Sequence, residues 1–170
     1  EISLLQHLVA NGFPVMAEKG YYTYDLTGRY GWLGHYQFVT GYDETQQVLI
    51  VQDTYIDGGE NHAFSYRDFT AGWRSFDYLV MVVYPLDREV QLLALLGDWA
   101  DADWAARHAL ELAQAEVQST TGIDQYFAAF NVGSSHVALR EYVDAGYAYD
   151  YAFQLYAALG DDGLRPYRMM

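Results

Sequence analysis

The hydrophobic pattern of this chain changes period once, near Pro85-Leu86-Asp87, and that change limits the architectures open to it. Before it, β-prone runs at 33–42 and 47–55 flank Asp43-Glu44-Thr45-Gln46, which predicts a hairpin. A third apolar run, 79–84, reads as a buried strand ended by Pro85. After the change the period is helical. It predicts helices over 89–96 (stopped at Gly97), 101–118, 127–139 and 142–159. The expectation is an α+β chain, with an antiparallel sheet unit over 1–86 and an all-α unit over 87–170.

Smaller signals fill in the first unit. Ile2, Leu5, Leu8 and Val9 fall at helical spacing, and Asn11-Gly12 supplies a stop that tolerates a left-handed backbone. Phe13, Val15 and Ala17 alternate as in a short strand. Pro14 donates no hydrogen bond, which argues for an edge or a strand start. The Gly- and Tyr-rich stretch 21–32 reads as a loop, and 56–63, with Gly58-Gly59, as a second one. Ser65 and Asp68 form a capping pair for a short helix through Trp73.

Composition excludes several functions. Nine basic residues against 23 acidic ones give a net charge of −14, the wrong sign for a phosphate backbone or an anionic membrane surface. No apolar run is long enough to span a bilayer. There is no cysteine, so these residues hold no disulfide, thiolate metal site or thiol nucleophile. Seventeen tyrosines bring hydroxyls that need partners in a core, or rings that line a groove. The chain opens on Glu1 without an initiator Met and reads as a fragment or a processed piece; no compartment or oligomeric state follows from it.

The hairpin carries the one pairing with chemical content. His35 opens its first strand and Asp53 nears the end of its second. A three- or five-residue loop centred on Glu44 places the two side chains on one face, roughly 4.5–5.5 Å apart at Cβ. A two-residue loop sends them to opposite faces, and the intervening residues allow either. If the two meet, the carboxylate fixes the imidazole tautomer and raises its basicity, leaving the other ring nitrogen to take a proton. Gly34 and Gly41 would keep the backbone open to a substrate. A purely structural hydrogen bond is the competing reading.

Asn11-Gly12-Phe13-Pro14-Val15, Gly34-His35-Tyr36, Val39-Thr40-Gly41-Tyr42-Asp43 and Val51-Gln52-Asp53-Thr54-Tyr55 together resemble the second half of C39-like, papain-like cysteine peptidase domains. The resemblance covers about residues 1–86. It implies that His35 matches the general base and Asp53 the residue that orients it, with an extended peptide as substrate, peptides ending in small residues included. The family's Cys and oxyanion Gln match no position here, so this chain alone is expected to be inactive. In 127–159, Phe130-Asn131-Val132-Gly133 with Leu139, Tyr142, Ala145, Tyr149 and Ala152 resemble one tetratricopeptide repeat, in which small Gly133 and Ala145 let two helices cross closely. Arg140, His136 and Ala157 depart from that pattern, and 164–170 looks cut off mid-pattern.

Two functions follow. One is part of a Cys-His-Asp peptidase fused to repeat-like helices. The other is a non-catalytic module binding a peptide or protein partner. No cofactor or metal is called for. His62 with Asp57 and Glu60 matches no metal motif and reads as a solvated loop. His7 and His108 read as packed or surface residues. Ser134-Ser135 has no base in range, and Gly58-Gly59 lacks the Lys and helix of a phosphate loop.

Overall fold

The computed structural model describes residues 1–24, 27–28, 30–55 and 58–160. Helix α1 (Ile2–Ala10) ends at Asn11, with Gly12 at φ 74°, and leads into strand β1 (Val15–Tyr24). There follow β2 (Tyr30–Asp43), β3 (Val48–Gln52), β4 (His62–Ser65), helix α2 (Tyr66–Arg74) and β5 (Val80–Val82). The five strands form one antiparallel sheet in the order β4-β3-β2-β1-β5, so the fold is α+β. Pro14 stands just before β1, where its missing donor costs nothing. Ser65 caps α2: its Oγ accepts from the Asp68 N–H at 3.0 Å and donates to the Asp68 carboxylate at 2.8 Å.

The stretch 21–32, expected as a loop, is instead largely strand. β1 and β2 stay paired out to Tyr24 and Tyr30. The two glycines that flank it carry the contacts that extend the strands. Gly20 and Gly34 face each other across the ladder. A Cβ on Gly20 would sit 2.2 Å from the Trp32 ring, and one on Gly34 2.5 Å from Phe76. The glycines are what allow two aromatic rings to lie flat on the sheet. For the same reason Gly34 does not open the backbone to a substrate, because Phe76 covers it.

One sheet face packs on α1 and α2 through Leu5, Leu8, Val15, Val39, Val51 and Trp73. Past the 3-10 turn Leu86–Arg88, helix α3 (Glu89–Leu96) adds Leu92 to that core, and Arg88 reaches back to the Asn11 and Gly12 carbonyls at 2.7 and 3.0 Å. A 3-10 turn, Gly97–Ala100, then precedes α4 (Ala102–Ser119), α5 (Gly122–Ala138) and α6 (Tyr142–Ala158). α5 begins at Gly122, ahead of the expected start at Phe127, because Ile123 and Tyr126 are drawn into a second core with Trp32, Phe76 and Phe127. α5 and α6 pack as a hairpin. A Cβ on Gly133 would lie 2.5 Å from the Tyr149 ring, and Ala145 and Ala152 are buried.

The turn after α2 joins sheet and helices. Asp77 and Tyr78 both adopt positive φ, 54° and 56°, which non-glycine residues hold only when their surroundings demand it. Here Arg74 Nε donates to Glu116 at 2.9 Å, the Tyr78 hydroxyl bonds the same carboxylate oxygen, and Asn131 donates to the Arg74 carbonyl at 2.8 Å. Among the described residues, no helix is long and apolar enough to cross a membrane.

Candidate active site

His35 and Asp53 meet. The imidazole Nε2 lies 2.9 Å from Asp53 Oδ1, with the carboxylate side chain buried and the imidazole about one-fifth exposed. They are not directly opposed, as the simplest register would have them. β2 and β3 pair Val39 with Val51 and Phe38 with Gln52, and one further step sets Asp53 across from Gln37. His35 stands two residues along β2, diagonal to the carboxylate and on the same face.

That shared face depends on an irregularity. Near the turn the pairs are Asp43–Val48, Tyr42–Leu49 and Gly41–Ile50, leaving residues 44–47 as a four-residue connection with Gln47 at φ 55°. Continued regularly, that register would put Asp53 opposite Phe38, facing away from His35. Thr40 is an extra residue between Val39 and Gly41, and the β-bulge it makes restores the parity. Gln52 Nε2 donates to Thr40 Oγ1 at 2.9 Å and holds the bulged residue.

The carboxylate is held from several sides. Its Oδ1 also accepts from the Tyr55 N–H at 2.7 Å, and Oδ2 accepts from Gln37 Nε2 at 2.6 Å. Such donors favour the ionised acid. An ionised Asp53 requires the neutral imidazole to carry its proton on Nε2, so Nδ1 holds the lone pair. Nδ1 has no hydrogen-bond partner among the described residues. The Tyr55 ring lies 5.7 Å from the imidazole.

Lys19 is the direct cross-strand partner of His35 and is buried, with Nζ 3.7 Å from the Phe64 ring centroid. Burial holds its amine down to about 8, against the opposing pull of Asp53 and Asp68. Tyr21, one step further along the same face, has its phenol pushed well above the ordinary value by burial, with the Asp53 charge adding to it. Gln37, Lys19 and Tyr55 were missed in the sequence. The available signal was parity: Gln37 alternates with His35, and Lys19 falls opposite it once β1 is known to extend past Ala17.

The remaining candidates do not join this site. His62 packs on Phe64 with ring centroids 4.7 Å apart, and Asp57 lies outside the described residues, as does 164–170. His7 is exposed, while His108 stacks on Trp104 at 5.0 Å. His108 also lines a cleft of about 610 Å³ between α1, α2 and α4, which contains neither His35 nor Asp53. Ser134 and Ser135 lie in α5, where Ser134 Oγ donates to the Phe130 carbonyl and Ser135 Oγ to Asp77. His136, placed at an aromatic position of the repeat pattern, bonds Glu141 through Nδ1 at 2.7 Å, with Asp144 beside it.

In comparisons with known proteins, residues 1–81 match the family model described as the Peptidase_C39 like family. No curated protein and no solved structure matches the chain. The N-terminal part of the chain is thus similar to that peptidase-like family.

Proposed function

We propose that residues 1–86 are the base-bearing half of a C39-like cysteine peptidase and that 87–170 form a tetratricopeptide-repeat-like helical segment. The observation that carries this reading is the bond from His35 Nε2 to a buried, multiply anchored carboxylate, with Nδ1 left to accept a proton. The thiol comes from outside these residues. His35 Nδ1 takes the thiol proton, and the imidazolium that results is stabilised by Asp53. The thiolate adds to the peptide carbonyl, and the imidazolium returns its proton to the leaving amine. Water, deprotonated by His35, then releases the acyl group. The family match over 1–81 supports the reaction class, and the close crossing of α5 and α6 at Gly133 supports the repeat assignment.

The test is hydrolysis of a peptide panel by the full-length polypeptide that carries these residues. Turnover lost on thiol alkylation, and reduced by several orders of magnitude in His35→Ala, is the expected outcome. Turnover indifferent to both refutes the assignment. The absence of cysteine in the chain favours a second reading, a peptide- or protein-binding module on a peptidase-like scaffold. A full-length polypeptide that binds those peptides without cleaving them would support it.

A further inference from the structure

We infer that Gln37 is a positioning residue of the site, locking Asp53 in the orientation that dictates the tautomer of His35. The inference rests on the reading of His35 as the base and adds a third member behind the carboxylate.

The case begins with cost. Gln37 is fully buried, and its cross-strand partner on β1 is the equally buried Ala17. Val39 and Val51 occupy the next position on the same face, so its own neighbourhood favours an aliphatic side chain. Among the described residues the amide oxygen Oε1 is buried without a hydrogen-bond partner, a penalty that an aliphatic residue would avoid. What offsets it is a single contact, Nε2 to Asp53 Oδ2 at 2.6 Å. Chemistry fixes the orientation of the amide, since a carbonyl oxygen cannot face a carboxylate oxygen at that distance.

The position of that contact gives it consequence. The Tyr55 N–H and His35 both bond Oδ1. The bond from Gln37 to Oδ2 holds the other oxygen, so the carboxylate is gripped at both oxygens. A carboxylate fixed in this way accepts only from Nε2–H, so the neutral ring holds one tautomer and Nδ1 stays deprotonated. A donor to the charged form also keeps the acid ionised inside the sheet.

The readout is the state of His35 in the chain itself, followed by nitrogen-15 and carbon-13 NMR across pH, with folding checked by circular dichroism. Wild type should hold the neutral ring almost wholly as the Nε2–H tautomer, with the Gln37 side-chain amide protons shifting in step with the Asp53 carboxyl carbon. Gln37→Met and Gln37→Leu keep the volume and remove the donor. They should convert the ring to a mixture of tautomers and raise the midpoint at which Asp53 titrates. A merely structural Gln37 would alter the melting temperature and move neither signal. Folded variants with unchanged tautomer and Asp53 midpoint overturn the inference, as does a wild-type Gln37 amide that ignores Asp53. Neither outcome depends on turnover. Loss of the base assignment would show instead as hydrolysis indifferent to His35→Ala in the full-length polypeptide.

Discussion

Lys19→Met should stabilise the fold at neutral pH, although it removes a charge next to the site. The amine is buried at the centre of the sheet, and its value falls from 10.5 to about 8 through desolvation. At about 1.36 kcal/mol per pH unit, that difference corresponds to a cost of about 3 kcal/mol for keeping Lys19 charged in the folded state. The ring of Phe64, 3.7 Å away, returns roughly 0.5–2 kcal/mol as a cation–π contact. Desolvation therefore wins, and the methionine variant should be more stable by about 1–2 kcal/mol at pH 7. The pH dependence gives the sharper test. Because the folded value lies below the unfolded one, the unfolded chain binds more protons between pH 8 and roughly 10.4, and wild-type stability contributed by Lys19 rises across that window. Below pH 8 the whole cost is present. Urea unfolding followed by tryptophan fluorescence at pH 7 and pH 10 should show an advantage for the variant that shrinks toward zero. A variant less stable than wild type at pH 7, with the two pH profiles parallel, would refute the reasoning. Lys19 would then be acting as the counter-charge of Asp53.

Three further outcomes are expected. The 170-residue chain should not hydrolyse peptides, since His35 and Asp53 alone supply neither a nucleophile nor an oxyanion donor; thiol-independent turnover abolished by His35→Ala would contradict the mechanism. Ala145→Leu should overpack the α5–α6 crossing and cost roughly 1–3 kcal/mol, whereas Ala158→Leu on the exposed end of α6 should melt with wild type; equal melts of all three would remove the repeat assignment. Arg74→Ala should cost roughly 1.5–3 kcal/mol by leaving Glu116 without its charged donor, and hydrogen exchange should rise across the α2–β5 turn and the facing part of α4, rather than uniformly.

Local pattern was enough to read much of this protein. The alternation of Val15 with Ala17 and the apolar runs around 43–46 required an antiparallel sheet, and Gly97 and the helical period after Asp87 required helices, because these signals act over a few residues. The residue types of the candidate site were also legible: a histidine on one hairpin strand and an aspartate at the end of the next. Three things were decided only in three dimensions. The strand character of 21–24 and 30–32 depends on Trp32 and Phe76 lying on Gly20 and Gly34, contacts made with residues far along the chain. The meeting of His35 with Asp53 depends on the bulge at Thr40, since strand parity changes with each inserted residue and an insertion has no composition of its own. Gln37 and Lys19 gained their significance last, because the worth of a buried polar side chain is set by what the fold places against it.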